Sequence, residues 1–169
     1  PIIFIVQGKA WNGKTLVLTV ACVVAFAFAD QFTNVLDTLL PDTQYTNVVS
    51  DWQGMNDDGT NMLRVIVYSV PALLSFVGRK WIDYDNDLVI NLSTNMSIVS
   101  AALYLVSAGT SGVFLGRLPI FTSLYGYILL PYLLDRIFTK ESAQIIKLMM
   151  ISAYLAFYYY QIHFAWGLV

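Results

Sequence analysis

Long apolar runs separated by short polar breaks make up most of the chain. A helix that crosses a bilayer needs about 17–25 predominantly apolar residues. Five runs approach or reach that length, and a further one at the start of the chain is the tail of another span. The runs cover residues 1–6, 15–32, 63–77, 88–106, 115–134 and 145–168. The pattern predicts an all-α fold, a polytopic transmembrane helical bundle of about five full spans plus a partial one.

The composition excludes a soluble fold. The chain contains 57% hydrophobic and 12% charged residues. A soluble domain carries about 25% charged residues, because polar groups must cover much of its surface. In lipid, by contrast, apolar side chains can face outward. The formal net charge of −2 also argues against a nucleic-acid partner, which would require clustered Lys and Arg.

No internal repeat or domain boundary is visible, so residues 1–169 are predicted to form a single transmembrane domain. Both ends lie in apolar sequence and the first residue is Pro1, and we interpret the chain as a fragment of a longer polytopic protein. The single cysteine, Cys22, lies in an apolar run and is expected to be a packed thiol. Metal-ligand spacings and glycine-rich phosphate loops are missing, so we predict neither a metal nor another cofactor.

The basic residues fall on alternate loops. Residues 33–62 contain five Asp and no basic residue, and residues 107–116 carry no charge. Seven of the nine basic residues lie in the other loops: Lys9, Lys14, Arg79, Lys80, Arg136, Lys140 and Lys147. By the positive-inside rule, these loops face the cytoplasm. The prediction is a multi-pass protein of the plasma (inner) membrane, with residues 33–62 and 107–116 extracytoplasmic.

Arg64 and Arg117 break this pattern, because they lie at the predicted outer starts of the third and fifth runs. The dipole of a helix is positive at its N-terminus, so an Arg in that position is unfavourable unless an anion offsets it. Two guanidinium groups beside two helix N-termini, with their free N–H groups, are suited to phosphate. The alternative is that each Arg extends to lipid headgroups or pairs with an Asp of the outer loop.

The predicted outer loop, residues 33–62, holds side chains that suit sugars. Aromatic faces can pack on the C–H face of a sugar ring, and a carboxylate can act as general base on an acceptor hydroxyl. The aromatic candidates are Tyr45 and Trp52, and the acidic candidates are Asp51, Asp57 and Asp58. The alternative is a solvated acidic loop.

Three polar residues lie inside predicted spans. Asn91 and Asn95 are four residues apart and therefore share one face of a helix. Amides buried in a span need partners, which are either neighbouring helices or a substrate. His163 lies near the predicted outer end of the last run, where it would act as an acid or base or would be a packed interfacial residue.

Several short motifs occur in a fixed order from about residue 15 to the end. Residues 62–74 read Met-Leu-Arg64-Val-Ile-Val-Tyr68-Ser-Val-Pro71-Ala-Leu-Leu, the helix with Asn91 and Asn95 follows, and Gly116-Arg117-Leu118 leads to Leu129-Leu-Pro131. This order resembles the C-terminal half of the EpsG family of Wzy-like exopolysaccharide polymerases, with its Arg…Tyr-x-x-Pro helix and its Arg-Leu helix ending in Leu-Pro. The family usually has Tyr-Phe shortly after the second Arg. This chain has Phe121-Thr122 there, with Pro119 inserted.

The resemblance implies a GT-C-like fold and a membrane glycosyltransferase of exopolysaccharide or capsule biosynthesis. Such an enzyme transfers an oligosaccharide from polyprenyl diphosphate to the terminal hydroxyl of an acceptor glycan at the outer face of the plasma membrane. The implied partners are the lipid-linked oligosaccharide, membrane lipid, and flippase and chain-length regulator proteins. The expected catalytic residues are Arg117, Arg64, Asp51, Asp57, Asp58 and His163, and the expected substrate-binding residues are Tyr45, Trp52, Tyr68, Asn91 and Asn95.

Two other classes of protein would use similar residues. A membrane transporter or flippase would also hold an anionic lipid-linked solute with Arg, although it should place polar residues and broken helices at the midplane. A non-catalytic subunit of a polysaccharide export complex would tolerate replacement of both arginines. The clustering of the unusual charges at one face favours chemistry at the membrane surface.

Overall fold

The computed structural model of the protein describes residues 6–28, 61–108 and 119–165. The helices in these ranges are α1 (Gly13–Ala27), α2 (Met62–Val77), α3 (Arg79–Asp85), α4 (Leu88–Ala108), α5 (Gly126–Ile137) and α6 (Lys140–Tyr160), and α6 continues into a π-helical turn (Gln161–Ala165). All regular elements in the described ranges are helical, which confirms the predicted all-α class.

Two helical stretches in the described ranges are long and apolar enough to cross a membrane. They are Leu88–Ala108 and Lys140–His163. A third span is present if α2 and α3 are counted as one, since together they are long and apolar enough to cross a membrane. The two helices are separated only by Gly78 and are bent by 68° there. The apolar part of α1, Gly13–Val24, is shorter. The count of about five spans and the GT-C-like architecture therefore stay predictions.

The structure divides into two compact units, Pro1–Leu129 and Leu130–Val169. In the first unit α4 is the central helix, and both α1 and α2 pack against it. Of the apolar 18-residue stretch of α4 that could cross a membrane, 67% is buried inside the protein. Its buried side chains include the small residues Ser93, Ser97, Ser100 and Ala102. Small side chains let helices approach closely in a membrane, where packing rather than the hydrophobic effect drives association.

The start of α4 is fixed by its own sequence. Asn86 adopts a left-handed conformation and ends α3, and its N–H donates to the carbonyl of Ile82. The carboxylate of Asp87 then accepts hydrogen bonds from the backbone N–H groups of Val89 and Ile90, at 2.8 and 3.0 Å. Asp87 thus caps α4, because these are donors that the helix itself leaves unsatisfied.

The fifth apolar run, residues 115–134, does not form one continuous helix. Residues 119–123 are helical, residues 124–125 form a turn, and α5 begins at Gly126. The hydroxyls of Thr122 and Ser123 donate to the carbonyls of Pro119 and Ile120, at 2.9 Å each. Such local bonds compete with the helical backbone pattern and favour a break.

The second unit contains most of α5 and all of α6. In α6 and its extension to His163, only 6% of the apolar 18-residue stretch that could cross a membrane is buried inside the protein. The ammonium of Lys147 contacts both carboxylate oxygens of Asp135, at 2.6 and 2.7 Å. The guanidinium of Arg136 lies 5.8 Å from the ring centroid of Tyr132. The Lys147–Asp135 ion pair therefore links the end of α5 to the first half of α6, whereas the Arg136–Tyr132 contact lies within α5.

Candidate functional site

Arg64 lies in the first turn of α2 and is half-buried. Asn61 caps this turn: its side-chain oxygen accepts from the N–H of Leu63 at 2.9 Å, and its carbonyl accepts from the N–H of Arg64 at 2.8 Å. These backbone donors are already used and are not free for an anion, contrary to our expectation of free N–H groups. At this helix start, an anion would meet the Arg64 guanidinium and the positive end of the helix dipole.

Two stacked tyrosine rings lie beside Arg64. Tyr68 is four residues along α2, on the face that carries Arg64. Its ring stacks on Tyr104 of α4, with 4.7 Å between centroids and an angle of 8° between planes. Arg64 and Ser123 both lie close enough to Tyr104 to influence its hydroxyl electrostatically. The structure therefore groups Arg64 and Tyr68, both expected from the sequence, with Tyr104 and Ser123.

Sequence reasoning missed Tyr104 and Ser123. One signal for Tyr104 was present, because it is the sole tyrosine of the apolar run 88–106 and lies near its end. A tyrosine hydroxyl buried in a span must find a partner, which marks it as a contact residue. The sequence held no comparable signal for Ser123.

An apolar groove of about 460 Å³ runs beside this cluster, between α1, α2 and α4. On α2 it extends from Val65, the residue after Arg64, to Phe76, which is about 16 Å at about 1.5 Å per residue. At the far end the ring of Trp11 meets Phe76 edge-on, with 5.6 Å between centroids. The arginine thus lies next to one end of the groove, and aromatic rings line the other.

The groove contains two hydroxyl residues, and both direct their hydroxyls to their own helices. Ser69 donates to the carbonyl of Val65 at 2.7 Å, and Thr19 donates to the carbonyl of Thr15 at 2.8 Å. The remaining lining consists of aliphatic and aromatic residues. Such a surface fits a hydrocarbon chain and offers little to a polar solute.

The amides of Asn91 and Asn95 are buried and bind the backbone near the start of the chain. The side-chain oxygen of Asn95 accepts from the N–H of Trp11 at 3.0 Å, and its amide nitrogen donates to the carbonyls of Val6 and Lys9, at 2.9 and 3.0 Å. The oxygen of Asn91 accepts from the N–H of Ala10 at 3.1 Å. These contacts correspond to the packing alternative for the two amides, and substrate contact stays a prediction.

His163 belongs to the second unit, where it lies in the π-helical turn after α6. Its ring is tilted against that of Tyr159, with 4.1 Å between centroids. Short π-helical segments widen the backbone spiral and are frequent at functional sites. The contact with Tyr159 fits the packed interfacial alternative, and a role as acid or base stays a prediction.

The other predicted site residues lie outside the described ranges. They are Arg117, Asp51, Asp57, Asp58, Tyr45 and Trp52. Within the ranges 6–28, 61–108 and 119–165, no group of three or more His, Cys, Asp or Glu residues is placed to hold a metal ion.

The apolar spans define an α-helical membrane protein, in which the first turn of α2 carries an arginine next to one end of an apolar groove. Residues 1–166 match the model of the EpsG family, so the chain belongs to this family of Wzy-like exopolysaccharide polymerases. The match covers essentially the whole chain, so the likeness begins earlier than residue 15. The chain matches no curated protein and no solved structure.

Proposed function

We propose that this protein is a polysaccharide polymerase that transfers a polyprenyl-diphosphate-linked oligosaccharide to the terminal hydroxyl of an acceptor glycan at the outer face of the plasma membrane. The observation that carries the proposal is the position of Arg64 next to one end of the apolar groove. A lipid diphosphate has an anionic head joined directly to a hydrocarbon tail. An arginine followed along the same helix by an apolar groove matches both parts of such a ligand.

The reaction breaks the bond between the anomeric carbon of the donor sugar and the diphosphate oxygen. The acceptor hydroxyl oxygen forms the new bond to that carbon, and its proton passes to a base. Negative charge grows on the departing diphosphate, so guanidinium groups directed at it stabilise the transition state more than the ground state. No redox step and no further co-reactant is needed.

We assign Arg117 and Arg64 to the diphosphate, because Arg can bind phosphate oxygens with two parallel hydrogen bonds. The candidate bases are Asp51, Asp57 and Asp58, and Tyr45 and Trp52 would position sugar. Tyr68 would contact the substrate from its place one turn after Arg64. The groove would receive the first part of the polyprenyl tail, which enters sideways from the bilayer.

The test is an elongation assay with the full-length protein in proteoliposomes. Lipid-linked repeat units purified from cells that make the polymer are supplied, and product length is read on a gel. We expect a ladder for the unmodified protein and a fall in rate on the order of 100-fold for Arg64→Ala and for Arg117→Ala. Arg64→Lys should recover part of the activity, because it restores the charge without the planar fork.

The matched control is Arg79→Ala, which removes an exposed arginine of α3 paired with Asp83 at 3.6 Å. It should elongate glycan like the unmodified protein. Full-length ladders from both Arg64→Ala and Arg117→Ala would overturn the assignment of the diphosphate site. If the folded unmodified protein gave no ladder but moved the lipid-linked substrate across the bilayer, the transporter class would be correct instead.

A further inference from the structure

Trp11 has an unusual backbone conformation at the far end of the apolar groove. Its φ is +56°, in the left-handed region, where a bulky residue is strained. Such strain persists only where neighbouring contacts impose it, and strained residues are concentrated at functional sites. The ring of Trp11 lines the groove and meets Phe76 of α2 edge-on. A strained residue therefore forms the end of the groove that lies away from Arg64.

Two buried amides of α4 impose this conformation. The side-chain oxygen of Asn95 accepts from the N–H of Trp11, and its amide nitrogen donates to the carbonyl of Lys9, at 3.0 Å each. The side-chain oxygen of Asn91 accepts from the N–H of Ala10 at 3.1 Å. Both amides are buried, so they would lose their partners if this turn moved away. The position of the Trp11 ring is thus fixed by its backbone.

The indole of Trp11 contributes its size to the groove and not a hydrogen bond. Its Nε1 atom is buried, and no residue of the described part of the chain accepts from it. A buried N–H without a partner costs free energy, which a phenylalanine ring would avoid. What the indole supplies here is the area that it covers.

The length of the groove limits how much of a tail it can hold. Along α2 it extends for about 16 Å, from Val65 to Phe76. An extended chain of carbon–carbon bonds gains about 1.2 Å per bond, so an isoprene unit with its four main-chain bonds spans about 5 Å. The groove therefore holds about three isoprene units before the tail meets the ring of Trp11.

The groove suits a prenyl diphosphate better than a phospholipid. Arg64 directly precedes Val65, where the groove begins, so an anion and a hydrocarbon chain must adjoin without a polar linker. In a phospholipid, ester carbonyls stand between the phosphate and the chains. The two hydroxyls of the groove offer these carbonyls no donor, because Ser69 and Thr19 donate to their own helices.

We propose that Trp11 is a specificity-determining residue that ends the groove and limits the bound part of the tail to about three isoprene units. The inference rests on the proposed function and specifies which part of the lipid carrier the protein recognises. A longer tail turns aside at Trp11 and continues in the bilayer.

The test compares two substitutions of Trp11 in the full-length protein. Trp11→Gly removes the ring and keeps the turn, because glycine adopts a positive φ without strain. Trp11→Phe is the matched control, since it keeps an aromatic ring and removes only an N–H that has no acceptor in the described ranges. Thermal unfolding first establishes that both variants are folded. Geranyl, farnesyl and geranylgeranyl diphosphate, with two, three and four isoprene units, then compete against elongation in proteoliposomes.

We expect the unmodified protein and Trp11→Phe to bind farnesyl diphosphate about 3- to 5-fold more tightly than geranyl diphosphate, with little further gain for geranylgeranyl diphosphate. In Trp11→Gly the fourth unit should add a similar gain, because the end of the groove is open. Each value is referred to the amount of competitor measured in the bilayer, which is the same for all three proteins. The same dependence on tail length in all three would overturn the proposal, and so would a continued gain in the unmodified protein.

Photolabelling separates this inference from the proposed function, because it requires no turnover. A prenyl diphosphate with a diazirine on its third isoprene unit is crosslinked to the protein in proteoliposomes, and mass spectrometry identifies the labelled residues. We expect label at Leu73 and Phe76, which line the far part of the groove on α2. Farnesyl diphosphate should displace the label, whereas phosphatidic acid should not. In Trp11→Gly the label should spread beyond Phe76.

Label that is absent, that is confined to the first turn of α2, or that phosphatidic acid displaces would overturn the role of Trp11, even in a protein that elongates glycan. The expected labelling in a folded protein that makes no polymer would instead refute the proposed function. Trp11 would then remain the end of a groove for prenyl diphosphates.

Discussion

Gly126 lies directly against Pro71. A Cβ atom added at Gly126 would stand 2.8 Å from Cγ and 3.3 Å from Cβ of Pro71, and 3.8 Å from the hydroxyl oxygen of Ser97. The first of these distances is shorter than carbon atoms tolerate, and a proline ring has little freedom to move. The absence of a side chain at Gly126 therefore lets α5 begin in contact with α2.

Gly126→Ala should lower stability by about 1–3 kcal/mol, because the added methyl overpacks this contact. Gly13→Ala is the matched control, since a Cβ at Gly13 meets nothing within 4 Å. That control should be neutral or stabilising by up to about 1 kcal/mol. The measurement is thermal unfolding in detergent. Pro71→Ala on the Gly126→Ala background should relieve part of the cost, and a Gly126→Ala protein as stable as the unmodified one would contradict the steric account.

Asn95→Leu should destabilise the protein more than Asn91→Leu. Asn95 satisfies three backbone groups of the segment 6–11, whereas Asn91 satisfies one of them and also donates to Asn86 at 3.1 Å. Buried groups left without a partner cost about 1–3 kcal/mol each, so a loss of roughly 3 kcal/mol is expected for Asn95→Leu. Thermal unfolding measures it, and KM of the folded fraction should not change. A raised KM with unchanged stability would instead identify Asn95 as a substrate contact.

Asp87→Ala should lower stability by about 1 kcal/mol, because it removes the cap of α4. Asp83→Ala is a matched control in the same connection. Asp83 pairs with Arg79 at 3.6 Å, but both side chains are 53% exposed, so that pair contributes about 0–0.5 kcal/mol. Equal unfolding temperatures for the two variants would argue against the cap as the source of stability at this helix start.

Ala101→Phe should raise KM several-fold and leave kcat nearly unchanged, because the added ring occupies part of the groove beside α4. The effect should be modest, since a tail leaving bilayer lipid gains packing but no hydrophobic free energy. Val17→Phe is the control, because Val17 of α1 is 70% exposed and is not part of the groove lining. Competition by undecaprenyl diphosphate should weaken in Ala101→Phe far more than competition by geranyl diphosphate. Equal weakening of both competitors would place the tail elsewhere.

The helices themselves could largely be read from the sequence. The run 63–77 corresponds to α2 (Met62–Val77), and the run 88–106 corresponds to α4 (Leu88–Ala108). The last helix begins at Lys140 rather than at residue 145. Its first turn is polar and therefore does not belong to the apolar run from which the helix was predicted. The break in the run 115–134 could not be predicted from hydropathy, because residues 124–125 are as apolar as their neighbours. Local hydroxyl bonds of Thr122 and Ser123 accompany the break.

The candidate site was only partly accessible to such reasoning. Arg64 was identified because an arginine at the predicted outer start of a helix contradicts both the charge bias of membrane loops and the helix dipole. Its neighbour Tyr104 could not be assigned, because 40 positions separate the two residues along the chain and only the pairing of α2 with α4 brings them together.

The sequence alone determined that this protein is an α-helical membrane protein and where most of its helices lie, because the length and polarity of each apolar run act locally on the backbone. Tertiary structure decided which side chains meet. Asn95 binds the carbonyl of Val6 across 89 positions, and Tyr68 stacks on Tyr104 from another helix. Such contacts depend on how helices cross, and in lipid the crossing is set by close packing of small residues such as Gly126 rather than by hydropathy.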